Sequence, residues 1–151
     1  MAHSILILSG IYPPDVGGPA KFVDVYSKWI STRKWQVKVV SLTDGGSSKK
    51  NDQGVNVSLI SRGDSLLLRY LYTVFQIYRE SRRVKFILAN GLFIELCIAA
   101  KIFGLKYVVK VPGDIVWERA RNNLITSKSV DDFQAEALNW KYRLFRKLFS
   151  S

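Results

Sequence analysis

The sequence predicts an α/β fold organised around a doubly wound parallel sheet. Short apolar runs alternate with longer runs of helical periodicity along the whole chain. That order sets parallel strands side by side with helices on both faces. Loops of glycine and small polar residues follow three of the strands, at Gly17-Gly18, Asn90-Gly91 and Gly113-Asp114. Ligands in such sheets gather at the carboxyl ends of the strands, so three loops converging on one edge mark a binding site. With 151 residues, 48% of them hydrophobic, the chain can bury the core of one domain.

Strands are expected at 4–9, 36–42, 55–60, 85–90 and 107–111, and helices at 19–33, 65–82, 92–103 and 131–149. The first strand, Ser4 to Ser9, is continuously apolar, as a strand buried on both faces must be. It stops on Gly10-Ile11-Tyr12-Pro13-Pro14-Asp15-Val16-Gly17-Gly18-Pro19, and Pro19 suits the first turn of the helix that follows. Gly17-Gly18 lets bare backbone approach a ligand at a helix N-terminus, where anionic oxygens are stabilised. The spacing is neither a dinucleotide fingerprint nor a P-loop. The polar stretch 42–54, with Gly45-Gly46-Ser47-Ser48 and Lys49-Lys50, reads as a disordered surface loop.

In helix 65–82 the apolar side (Leu66, Leu67, Tyr70, Leu71, Val74, Phe75, Ile77, Tyr78) is expected to pack on the sheet. Arg69, Thr73, Gln76 and Glu80 form its polar stripe, while Leu68 and Tyr72 fall outside the main arc. Arg79, Arg82, Arg83 and Lys85 cluster at its end. The last helix carries Lys141, Arg143, Arg146 and Lys147 among aromatic and aliphatic residues. Two readings stand for it: an interfacial membrane helix touching lipid through those four cations, or a face that a further domain covers.

Charge narrows the partners. There are 23 Lys and Arg against 12 acids, a net charge of +11, which favours phosphates or an acidic membrane face. Nucleic acid is not expected, because charge is its only support: no RNA-recognition aromatic motif or helix-turn-helix pattern is present. No stretch reaches the roughly 20 apolar residues of a membrane span. The amino-terminal apolar run, about five residues, is shorter than a secretory core region. With Cys97 as the single cysteine, a reducing compartment is the natural setting, and Cys97 reads as a small buried hydrophobe. The expected location is the cytoplasm, including the periphery of the inner membrane face.

His3 is the only histidine, so no zinc site is expected, and no Ser/His or Cys/His pair can be assembled. Asp114 follows an apolar strand through Pro112-Gly113. Its carboxylate could reach a cleft and orient a hydroxyl, or could cap the helix that follows. Trp117 could offer a stacking face with the Arg121 cation one turn away, or could pack beneath the loop.

Two blocks carry a resemblance. Ile11-Tyr12-Pro13-Pro14-Asp15-Val16-Gly17-Gly18-Pro19-Ala20 followed by Trp35 to Ser41 is the first. Ala89-Asn90-Gly91, followed by Lys110-Val111-Pro112-Gly113-Asp114-Ile115-Val116-Trp117-Glu118-Arg119-Ala120-Arg121-Asn122, is the second. Together they resemble the amino-terminal domain of family 4 glycosyltransferases of the GT-B fold. The resemblance implies a Rossmann-like, three-layer α/β/α domain over 1–151, the first half of a GT-B architecture. That domain would be incomplete at its carboxyl end, with the donor-binding domain absent. It implies transfer of a sugar from a nucleotide-diphosphate sugar, a co-substrate rather than a cofactor, to a lipid-linked or polysaccharide acceptor. Gly17 and Gly18 would approach the donor's phosphate or sugar. Asn90, Gly113, Trp117 and Arg121 would line the acceptor side with Asp114 as the candidate catalytic carboxylate. Many relatives carry a histidine where Gly113-Asp114 stands, so no base carries over; in retaining members the donor phosphate is understood to take the acceptor proton. The alternative expectation is a non-catalytic membrane- or acceptor-docking subunit of a split transferase.

Overall fold

The computed structural model describes residues 3–110, 120–122, 127–129 and 131–132. The chain divides into two compact units, Met1–Lys110 and Val111–Ser151. The first unit runs β1 (Ser4–Ser9), α1 (Gly18–Ser31), β2 (Gln36–Thr43), β3 (Ser48–Asp52), β4 (Val55–Ser61), α2 (Leu66–Ser81), β5 (Phe86–Ala89), α3 (Phe93–Phe103) and β6 (Val108–Val109). These form an α/β fold with one six-stranded sheet in the order β3-β4-β2-β1-β5-β6. All neighbours are parallel except the β3–β4 pair. A mostly parallel sheet flanked by helices is compatible with a Rossmann-like fold.

Every residue of β1 is buried, because the strand is central and covered on both sides. Ile5 and Ile7 pack with Val37, Val39, Val55 and Val57 and with Val23 and Ile30 of α1. Leu6 and Leu8, one residue out of phase, pack with Ile77 of α2 and with Leu96 and Ala99 of α3. The period of two thus feeds two separate cores from one strand.

The stretch 42–54 is not a disordered loop; it contains β3, the first correction to the sequence reading. Gln53 and Gly54 both hold positive φ, 51° and 84°. Positive φ at both central residues is what a two-residue hairpin turn matched to strand twist requires. Register then pairs Asp52 with Val55 and Ser48 with Leu59. Side-chain bonds replace apolar alternation in holding this edge. Lys50 Nζ donates to the Pro13 carbonyl (3.2 Å), and Asp52 accepts from the Tyr12 hydroxyl (3.1 Å).

The second correction concerns α2. Its buried residues are Thr73, Gln76, Ile77, Glu80 and Ser81, so the polar stripe packs largely inward while half of the apolar side, Leu66, Leu67, Leu71 and Phe75, is exposed. The reason lies in the sheet. Alternation from Val37, Val39, Val55 and Val57 turns Lys38, Asn56 and Ser58 toward the α2 side, and a polar floor is met by a polar helix face. Lys38 Nζ reaches Glu80 Oε2 at 2.7 Å, and Arg79 Nη2 holds Glu80 Oε1 at 3.0 Å. Two atoms on this side, Arg69 Nε and Thr73 Oγ1, are buried without a partner.

Burial alone would raise the Glu80 pKa, but the hydrogen bonds from Lys38 and Arg79 outweigh it and hold the carboxyl below its ordinary 4.5. A depressed native pKa means the unfolded chain takes up protons first as pH falls. The Glu80 contribution to stability is therefore complete above that ordinary, unfolded value and is lost as pH drops through the lower native one. Glu80→Gln should lower stability at neutral pH and flatten the acid limb of a chemical-denaturation series. An unchanged acid limb would show that the pair is energetically idle.

Within the second unit, Asp131 and Asp132 are helical, and the Asp132 amide donates to Ser129 Oγ (3.3 Å). The remainder of the stretch expected as a helix at 131–149, including Lys141, Arg143, Arg146 and Lys147, lies outside the described residues.

Candidate functional site at the sheet switch point

The chain leaves β1 in one direction, through β2 to β4, and returns to β5 on the other side of β1. Loops that depart in opposite directions open a crevice between the carboxyl ends of β1 and β5, and ligands in open α/β sheets bind there. The β1–α1 loop and the Asn90-Gly91 turn form its walls.

The two walls touch through bare backbone. A Cβ added at Gly91 would overlap the Gly10 amide nitrogen and stand 3.1 Å from the Ser9 carbonyl carbon. Asn90 is buried; its amide continues the ladder to the Leu8 carbonyl (2.8 Å), and its side-chain Nδ2 reaches the Pro19 carbonyl (3.4 Å). Asn90 thereby braces the end of β5 against the start of α1.

Gly17 and Gly18 lie at the amino end of α1, where sequence reading placed them. Neither has a left-handed backbone: Gly17 is extended (φ 161°, ψ 161°) and Gly18 is not among the positive-φ glycines. A Cβ at Gly17 would crowd the tip of Ile11 (2.8 Å) and touch Pro19 Cδ (3.8 Å), and one at Gly18 would meet nothing within 4 Å. Gly18 therefore leaves open space, Gly17 gives room to the Ile11 side chain, and neither permits a strained turn. The α1 N-terminus has no side-chain cap and no acid in its first turn. Its first amides lack intrahelical acceptors and carry the positive end of the helix dipole. A hollow of about 530 Å³ starts at Gly18 and runs over Lys21, Phe22, Tyr26 and Trp29. Lys110, just past β6, puts its ammonium 4.6 Å from the centre of the Phe22 ring.

Two residues that sequence reading missed hold the loop in place. Arg62, one residue past β4, donates from Nη2 to the Gly10 carbonyl (2.7 Å) and Asp15 (2.9 Å), and from Nη1 to Asp44 (2.7 Å). One guanidinium fork thus joins the carboxyl ends of β1, β2 and β4. Partial burial works against the Arg62 charge, but its bonds to Asp44 and Asp15 raise its pKa further. Tyr12 is fully buried under the loop, with its hydroxyl against Asp52 and Asp24, and Lys28 joins the same two carboxylates at 3.4 and 2.7 Å. Burial, then the adjacent Asp52 and Asp24, push the Tyr12 phenol well above its ordinary range. Tyr12 is therefore a neutral pillar and not an acid or base.

No model of a known protein family matches the chain, and no curated protein matches it. Among the expected site residues, Gly17, Gly18 and Asn90 come together at the switch point. Asp114, Gly113 and Trp117 lie outside the described residues, and Arg121 belongs to the second unit, where it is exposed. Cys97 is half-buried, and burial together with Cys97 beside it raises the Tyr107 phenol.

Proposed function

We propose that this chain is the amino-terminal, acceptor-binding part of a glycosyltransferase similar to family 4, a three-layer α/β/α half of a GT-B enzyme. The observation that carries this reading is the uncapped α1 N-terminus at the β1/β5 switch point, open at Gly18 and continued by an aromatic hollow. Amides at such a helix end suit the anionic oxygens of a nucleotide-diphosphate sugar. The faces of Phe22, Tyr26 and Trp29 suit the apolar faces of sugar rings. Donor binding would come from a further domain or a partner chain. The acceptor would be a lipid-linked or polysaccharide glycan, with Asp114, Gly113, Trp117 and Arg121 on its side. In this reading the chain works in the cytoplasm or at the inner membrane face.

The test is transfer of label from nucleotide-diphosphate sugars to lipid-linked and polysaccharide acceptors by the intact enzyme. Gly18→Val should abolish transfer and leave the melting temperature near wild type, since the added side chain meets open space. Full activity of that variant removes the assignment. Asp114→Asn should lower kcat/KM for the acceptor at least about tenfold, roughly 1.4 kcal/mol of transition-state stabilisation. Undiminished activity with reduced thermal stability would make Asp114 a helix cap. A docking subunit of a split transferase would bind acceptor and transfer nothing from any donor.

A further inference from the structure

The outward face of α2 is built as a surface for something other than water. Leu67, Leu68, Leu71, Tyr72 and Phe75 are all exposed, Leu67 by 70% and Leu71 by 60%. At 3.6 residues per turn these five positions, together with Arg79 and Arg82, fall within one arc of roughly 140°. The arc is apolar through its first turns and ends on Arg79 and Arg82, and Arg83 and Lys85 follow in the turn beyond the helix, where both are exposed. The only acid of the helix, Glu80, lies on the opposite side, engaged by Lys38 and Arg79. Facing inward, the helix leaves Arg69 Nε and Thr73 Oγ1 buried without partners. The ion pairs of Glu80 fix which face turns inward, and the outer face is left with large apolar side chains exposed together, which is the mark of an interaction surface.

We propose that this face docks on an anionic phospholipid bilayer. The leucines, Tyr72 and Phe75 would seat at the headgroup–acyl boundary, and Arg82, Arg83 and Lys85 would meet lipid phosphates. Charge complementarity selects this occupant: the face has cations and no exposed acid, and the chain carries a net +11. No helix among the described residues is long and apolar enough to cross a membrane, so the contact is a lateral one. The inference rests on α2 and the basic turn that follows it and is independent of the transferase reading.

The experiment is co-sedimentation of the 151-residue chain with vesicles of phosphatidylcholine, alone or mixed with phosphatidylglycerol, over a salt series. Wild type should partition onto the anionic vesicles, more weakly as salt rises, and much less onto neutral ones. Leu71→Glu/Phe75→Glu should lower partitioning at least about 100-fold, since two apolar side chains leave the interface. Arg82→Gln/Arg83→Gln should lower it roughly 30-fold, about fivefold for each cation. If the first pair also lowers the melting temperature, the arginine pair decides by itself. Wild-type partitioning by Arg82→Gln/Arg83→Gln overturns the proposal and moves the contact elsewhere, Lys141, Arg143, Arg146 and Lys147 being the first alternative. So does a wild-type chain that ignores anionic vesicles, or one that instead dimerises through Leu71 and Phe75.

Discussion

Gly91→Ala should destabilise the first unit by roughly 2–3 kcal/mol, the cost of overpacking where neighbours cannot yield. The new methyl would collide with the Gly10 amide nitrogen and crowd the Ser9 carbonyl carbon at 3.1 Å. All of these are backbone atoms at the end of a fully buried strand, so no rotamer change relieves the clash. The expected fall in melting temperature is on the order of 10 °C. Gly18→Ala is the matched comparison, because its methyl meets nothing within 4 Å and should leave the transition in place. Equal melting temperatures for the two variants would mean that the β1–α1 and β5–α3 loops do not touch in solution.

Arg62→Ala should cost about 2 kcal/mol, in the range for hydrogen bonds to charged groups. The truncation strands the Gly10 carbonyl and leaves Asp15, whose side chain is only 15% exposed, without its cation. Asp44 matters less because its side chain is 81% exposed and stays solvated. Arg62→Lys keeps the charge but not the fork, since one ammonium cannot face three acceptors in the planar geometry of a guanidinium. It should recover about half of the loss. Urea denaturation reads both as shifts in midpoint at constant slope. A midpoint unmoved by Arg62→Ala would show that the loop holds its place through Tyr12 and Asn90 alone.

The parallel elements were legible because local pattern and final burial agree. The continuous apolar run of β1 announces a strand covered on both faces, and Pro19 announces the start of α1. The edge strand β3 hid because Ser-Lys-Lys-Asn-Asp has no apolar alternation; Tyr12 and Pro13 hold it through polar atoms. Its turn at Gln53-Gly54 hid with it, since Gln-Gly lacks the Asn-Gly or Asp-Gly signature of such turns. For α2, periodicity revealed the two faces but not which one turns inward. Lys38, Asn56 and Ser58, on alternate strand positions, held that answer. Arg62 escaped notice because a single arginine after a strand has no motif, and its three acceptors lie up to 52 positions away in sequence. At the candidate site, the glycines stood out for their composition, while the residues that fix them act through distant contacts.

The hairpin has a consequence for the molecule among its neighbours. An outermost strand offers a row of unpaired amides and carbonyls to any chain that drifts alongside. Here that row is only five residues long and carries Lys49 and Lys50 side by side, both exposed. A second strand zipping on would have to approach two ammonium groups on a chain that already repels its own copies. Lys50, which donates to the Pro13 carbonyl, thus ties this edge to the glycine loop, and its charge beside that of Lys49 disfavours the stacking of crowded copies along it.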